Sequence, residues 1–130
     1  MAVIGNPKEN EMTTTDPLVS DYIAMWNETD RQRRRELVAR TVTEDANYLD
    51  PLMAGDGIDG ISEMIADAQL QFPGHRFALR SGPDAHHDRV RFSWSLAAAG
   101  GEPVAIGVDF ATIADDGRMP TITGFLEPAA

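Results

Sequence analysis

Tyr48 and Asp50 stand two residues apart in the string Ala46-Asn-Tyr-Leu-Asp-Pro51. On an extended strand such a spacing sends both side chains to one face, so a phenol and a carboxylate share one surface. That pair can move a proton if the face borders a cavity. The plainer reading is that Asp50-Pro51 ends the strand and the carboxylate caps the turn. A second carboxylate, Asp109, sits among small residues in Gly107-Val-Asp-Phe110. His75 follows the break Phe72-Pro-Gly74 and stands where a strand starts, a place for a proton carrier at a cavity mouth. His86-His87, flanked by Asp84 and Asp88, invites a metal. Adjacent histidines on an extended segment point to opposite faces, however, and a surface turn accounts for them, so no metal is expected. Trp26 and Trp94 read as apolar walls of a core or pocket.

Composition narrows the chemistry further. The chain has no cysteine, which removes disulfides, thiolate nucleophiles and cysteine-ligated metal centres. It has no glycine-rich phosphate loop, no GxSxG elbow and no HExxH helix, so no cofactor is expected. With 21 acidic against 11 basic residues, the net charge of −10 opposes binding to nucleic acid or to anionic membrane surfaces. No run of about 18 apolar residues exists to span a bilayer. A single domain in the cytoplasm is the default expectation for 130 residues of this make-up.

The elements that must position these groups follow in order. Residues 1–15 are polar and aperiodic and read as a flexible leader, leaving 16–130 as one domain. Asp16-Pro17 supplies an N-cap and a proline for the first helical position. Leu18, Val19, Tyr22, Ile23 and Trp26 recur at helical spacing up to about Asn27. A second helix restarts at Thr29 or Asp30 and runs to about Thr43. Its Arg31, Arg33, Arg34 and Arg35 read as a solvated face. A strand over 46–51, a loop over 53–57, a third helix from Ile58 to Phe72 and strands over 75–80 and 89–97 follow. Gly100-Gly101 then leads into a hairpin over 104–114 and 119–126, with its turn at Asp115-Asp116-Gly117. Val90, Phe92, Trp94 and Leu96 mark one apolar face. Val104, Ile106, Val108 and Phe110 mark another, which puts Ala105, Asp109 and Ala111 on the outer side. Helices first and a strand meander after indicate α+β, with three N-terminal helices packed on a curved, mostly antiparallel sheet.

That order, with Asn47-Tyr-Leu-Asp-Pro51, Gly57-Ile-Asp-Gly-Ile61, Phe72-Pro-Gly74, Gly107-Val-Asp-Phe110 and Asp116-Gly-Arg118, resembles the nuclear-transport-factor-2-like superfamily. The resemblance covers about Asp16 to Glu127 and is nearest to the SnoaL-like polyketide-cyclase and ketosteroid-isomerase branches. It implies a cone-shaped barrel with a deep pocket between helices and concave sheet, and a homodimer formed through the outer sheet face. By position it makes Asp50 the general base and Tyr22 a hydrogen-bond donor. It implies a third, oxyanion-binding acid near Ile106 or Gly107, neither of which is an acid. Asp109 is close, and a shift of one residue in the turn would bring it inward. The last-strand string Thr121-Ile-Thr-Gly-Phe125 lacks the charged residues that cyclases of the superfamily place there.

Two function classes stand open on this reading. One is a cofactor-free isomerase or cyclase that acts on a hydrophobic carbonyl compound through Asp50, which burial would make a better base. The other is a non-catalytic dimeric module of the same fold that binds a small hydrophobic molecule. Trp26, Tyr48, Trp94, Asp109 and His75 are the ligand-binding candidates in either case.

Overall fold

The computed structural model describes residues 6–128, with side chains from residue 15 onward. Its elements run α1 (Asn6–Asn27), α2 (Arg31–Thr41), β1 (Val42–Leu49), β2 (Ala54–Asp56), α3 (Gly57–Gln71), β3 (His75–His86), β4 (Arg89–Ala98), β5 (Ala105–Thr112) and β6 (Met119–Glu127). The six strands form one sheet in the order β2-β1-β6-β5-β4-β3. Every pairing is antiparallel except β1 with β6. The sheet does not close, and the three helices cover it, as the α+β reading expects.

α1 begins well ahead of the expected start at Asp16, and Pro17 lies inside it. A proline there removes one N–H from the helical ladder but already has a helical φ. Lys8, Glu9, Glu11 and Met12 are good helix formers and carry the helix back toward Asn6. Residues 1–5 of the expected leader lie outside the described residues. At its other end α1 is fastened to β3 by Asn27, whose amide donates to the Phe77 carbonyl and accepts from the Phe77 N–H, both at 2.8 Å. Asp30 caps α2 by accepting from the Arg33 N–H at 2.9 Å.

The arginine run is only partly a solvated face. Arg31 and Arg35 pair in solvent with Glu63 and Asp59 of α3. Arg34 is buried and donates to the Glu28 carbonyl, the Gln69 side chain and Ser62 Oγ instead. A guanidinium satisfied by neutral oxygens can stay buried without a carboxylate. It ties the α1–α2 connection to α3.

Three stretches differ from the sequence expectation in strand content. β1 leaves α2 directly at Val42, and the expected loop 53–57 contains β2, which pairs with it. β3 continues through Ser81-Gly82-Pro83-Asp84, where a turn was expected, with register shifts between Leu79 and Asp84. Such irregularities bend a strand and increase its twist.

The core lies between the helices and the concave sheet face. Tyr22, Met25 and Trp26 of α1, Val38 of α2, and Ile61 and Ile65 of α3 meet Tyr48, Phe92 and Ile122 of the sheet there. β4 turns Val90, Phe92, Trp94 and Leu96 inward, as its alternation predicts. β5 is reversed. Cross-strand partners share a face, and the register pairs Phe92 with Asp109, Trp94 with Gly107 and Val90 with Ala111. The inward row of β5 is therefore Ala105, Gly107, Asp109 and Ala111. Of the row expected in the core, Val104 and Phe110 are about half exposed and Val108 is half-buried, while Ile106 is buried.

Candidate functional site

Four elements bring polar groups into the apolar interior. Tyr22 comes from α1, Tyr48 and Asp50 from the end of β1, and Trp94 and Asp109 from neighbouring strands β4 and β5. They border a cavity of about 90 Å³, which also has Ile23, Trp26, Met53, Phe72, Phe77 and Leu126 in its wall. A cavity needs about 10–15 Å³ of such space to admit one water, so this one has room for several waters or a small organic molecule.

Asp109 is the deepest charge-bearing group, with 2% of its surface exposed. Its Oδ2 accepts from the Tyr22 hydroxyl at 2.7 Å and its Oδ1 from the Trp94 indole N–H at 3.1 Å. Burial pushes its pKa from the ordinary 3.8 up to about 6. The two donors pull it back down, and the nearby Asp50 adds a smaller push upward. No basic side chain lines the cavity to offset the burial. Tyr22 is raised well above an ordinary phenol, first by burial and then by the charge of Asp109. Tyr48 is raised likewise by burial, by Asp109 and by Asp50.

Asp50 sits at the lip and is only partly buried. Its Oδ2 accepts from the Tyr48 hydroxyl at 2.6 Å, while Oδ1 accepts from the backbone N–H groups of Leu52 and Met53 at 2.7 and 2.9 Å. It therefore caps the turn after β1 and faces the cavity at once.

Two glycines make the constellation possible. A Cβ on Gly107 would fall 2.3 Å from Trp94 Cζ2, so the indole lies directly over this residue. A Cβ on Gly124 of β6 would stand 2.8 Å from Asp109 Oδ1, 3.1 Å from Asp50 Cβ and 3.3 Å from the Tyr48 hydroxyl. Asp109 Oδ1, Asp50 Cβ and the Tyr48 hydroxyl thus meet over a position that has room for hydrogen only.

The structure brings Tyr22, Trp26, Tyr48, Asp50, Trp94 and Asp109 to one cavity. His75 is not among its wall residues. Its Nδ1 lies 3.0 Å from the Pro73 carbonyl and its ring packs edge-on against Phe72, because the break at Pro73-Gly74 turns it away from the mouth. The sequence reading also missed Phe77, whose ring lies 5.1 Å from that of Trp26 and 5.4 Å from that of Trp94. The signal for the inward turn of Asp109 was the small residue Gly107 two positions earlier, which only a large neighbour such as Trp94 would need. Trp26 Nε1 is buried with no hydrogen-bond partner among the described residues. Among the described residues no cluster of three or more acidic or histidine side chains could hold a metal ion.

Comparison with solved structures places these features in context. A candidate isomerase of the SnoaL-like family from Agrobacterium tumefaciens strain C58 is 43% identical over 90% of this chain and 100% of its own, with a TM-score of 0.86. A candidate SnoaL-like polyketide cyclase from Jannaschia sp. CCS1 matches at 18% identity over 97% of this chain and 92% of its own, with a TM-score of 0.67. An NTF2-like protein of unknown function from Cytophaga hutchinsonii matches at 12% identity over 90% and 92%, with a TM-score of 0.65. The latter two speak for the fold alone. No protein-family model matches the chain, and no curated protein does.

Proposed function

Since the chain belongs to the SnoaL-like family, we propose that it is a cofactor-free isomerase or cyclase that acts on a small hydrophobic carbonyl compound. The observation that carries this reading is Asp109, an acid with a pKa of about 6 inside an aromatic-walled cavity. Such a carboxylate is mostly ionised at neutral pH and is a stronger base than a solvated one. The proposal assigns it the base role that the resemblance gives to Asp50, whose oxygens already hold three donors.

In the proposed step ionised Asp109 takes the proton from the carbon next to the substrate carbonyl. The C–H electron pair becomes the enolate π bond and the carbonyl oxygen takes the charge. The total charge of the cavity is unchanged, because Asp109 becomes neutral as the enolate forms. Tyr22, released from a neutralised Asp109, can then donate to the enolate oxygen. Where the substrate carries a β,γ carbon–carbon double bond the enolate is a dienolate, and Asp109 returns the proton to its γ-carbon in an isomerisation. In a cyclisation the enolate carbon instead attacks a second carbonyl, and the proton goes to the new alkoxide.

The test is exchange of α-protons for deuterium on a panel of small cyclic ketones. Asp109→Asn keeps the shape and removes the base, and lowers exchange by about a hundredfold or more. If Asp50→Asn is the variant that suffers this loss, Asp50 is the base. If no ketone exchanges and apolar ligands bind all variants alike, the binding-module reading stands. That second reading has one observation in its favour, since both oxygens of Asp109 are already hydrogen-bonded.

The assembly belongs to the same proposal. Val104, Phe110 and Phe125 are 42–53% exposed on the outer sheet face, and the two phenylalanine rings meet edge-on at 5.8 Å. An apolar patch of this kind suits an isologous homodimer contact. The contact would use this patch of Val104, Phe110 of β5 and Phe125 of β6 in place of the expected Ala105, Asp109 and Ala111, which face inward.

A further inference from the structure

Among the described residues the wall of the cavity carries two carboxylates, a set of aromatic rings and no lysine, arginine or histidine. We infer that this cavity is a binding site for small hydrophobic organic cations, amines in their ammonium form, with Asp109 as the counter-ion. The inference shares the cavity with the proposed reaction but does not need it, so binding decides it whatever the exchange assay gives.

Asp109 and Asp50 both border the cavity, and nothing basic among the described wall residues balances either of them. An anionic ligand would add a third negative group to a low-dielectric space and is repelled. A neutral ligand leaves the two carboxylates as they are. A cation relieves both, and a desolvated ion pair needs such a partner to offset the cost of burial. An ionised carboxylate has about four lone-pair directions, and Asp109 uses two of them, for Tyr22 and Trp94. The remaining capacity is open to an N–H donor.

The walls supply the second half of the recognition. Trp26 lies 5.6 Å from Tyr48 and 5.1 Å from Phe77, and Phe77 lies 5.4 Å from Trp94, centroid to centroid. Rings at this spacing around an acid form an aromatic cage, in which a cation gains from the ring quadrupoles while its alkyl part stays dry. Aliphatic Ile23, Leu52 and Met53 complete the wall toward the lip. The titratable groups that face Asp109 are Tyr22 on α1 and Tyr48 and Asp50 from β1, and Trp94 on β4 adds its N–H. Of these only Asp50 shares its charge sign, and a bound cation screens the two from each other.

The test uses three ligands of near-equal size: cyclopentylamine, cyclopentanol and cyclopentanecarboxylate. Affinities are measured by calorimetry on the full chain at about pH 8, where Asp109 is ionised. The expected order is ammonium, then alcohol about tenfold or more weaker, then carboxylate with no detectable binding. Asp109→Asn should bring the amine to the level of the alcohol. Asp59→Asn, on an exposed acid of α3 outside the cavity, should leave the preference intact. If Asp109→Asn does not fold, the wild type decides through pH: ammonium affinity should fall as Asp109 is protonated around pH 6 while alcohol affinity stays level. Equal affinity for amine and alcohol, measurable carboxylate binding, or an amine preference that survives Asp109→Asn overturns the inference.

Discussion

Asp50 and Asp109 are two carboxylates of one cavity in opposite surroundings. Asp50 stands at the lip, fixed by two backbone N–H groups and a phenol, and reaches solvent. Asp109 stands against the floor, held by a phenol and an indole, and is almost wholly dehydrated. The difference teaches that position along a strand does not rank acids for chemistry; the solvation and donors around each one do.

The largest effect that sharpens this contrast is on catalysis. Asp109→Asn should cost about a hundredfold or more in proton exchange, while Asp50→Asn should cost well under that, because it leaves the buried base in place. Wild-type exchange should rise with pH through about 6, since only the ionised form accepts a proton. A rate that is level from pH 5 to 8 would break the assignment.

Stability should move the other way. The folded-state pKa of Asp109 lies above its unfolded value, so the folded chain holds a proton that the unfolded chain releases between pH 3.8 and about 6. The stability tied to this group is present below that window and is lost as pH rises through it, by roughly 3 kcal/mol at two pK units. Denaturation of wild type and Asp109→Asn across that window should show the variant gaining on the wild type as pH rises. A constant difference would mean that Asp109 is better solvated than its burial implies.

Gly107→Ala should act next, at about 1–3 kcal/mol of lost stability, because the added methyl overlaps the Trp94 indole. Displacing Trp94 also removes one donor from Asp109, so the exchange profile should shift to higher pH. An unchanged profile would show that Trp94 does not tune the acid. Tyr22→Phe should cost less stability, about 1–2 kcal/mol by melting, and shift the profile in the same direction. The smallest expected effect is on the outer face, where Phe110→Ser should weaken the proposed dimer in light scattering and leave the monomer fold unchanged.

Much of this arrangement was legible in the chain. The helices, the inward row of β4 and the shared face of Tyr48 and Asp50 follow from period alone. The two faces of β5 did not, because Val104, Ile106, Val108 and Phe110 look like a core row and Asp109 looks like a solvent residue. The inner row is small for a reason that lies on another strand: Trp94 covers Gly107, and Phe92 stands opposite Asp109. Arg34 misled in the same way, since its partners are carbonyls and amides that carry no charge pattern in sequence. His75 was placed by its strand, and the Pro73-Gly74 break re-aimed it. For β5 and Arg34 the deciding contacts lie far away in sequence, whereas for His75 they are the neighbouring Phe72 and Pro73.

The central claim is that Asp109 is the dehydrated acid of the cavity, and the most direct measurement is its own titration. Carbon-13 detection of the side-chain carboxyls, with Asp109→Asn to assign the signal, gives its midpoint without any substrate. The account predicts a midpoint of about 6. A midpoint near 4, the range of a solvated carboxylate, would contradict it.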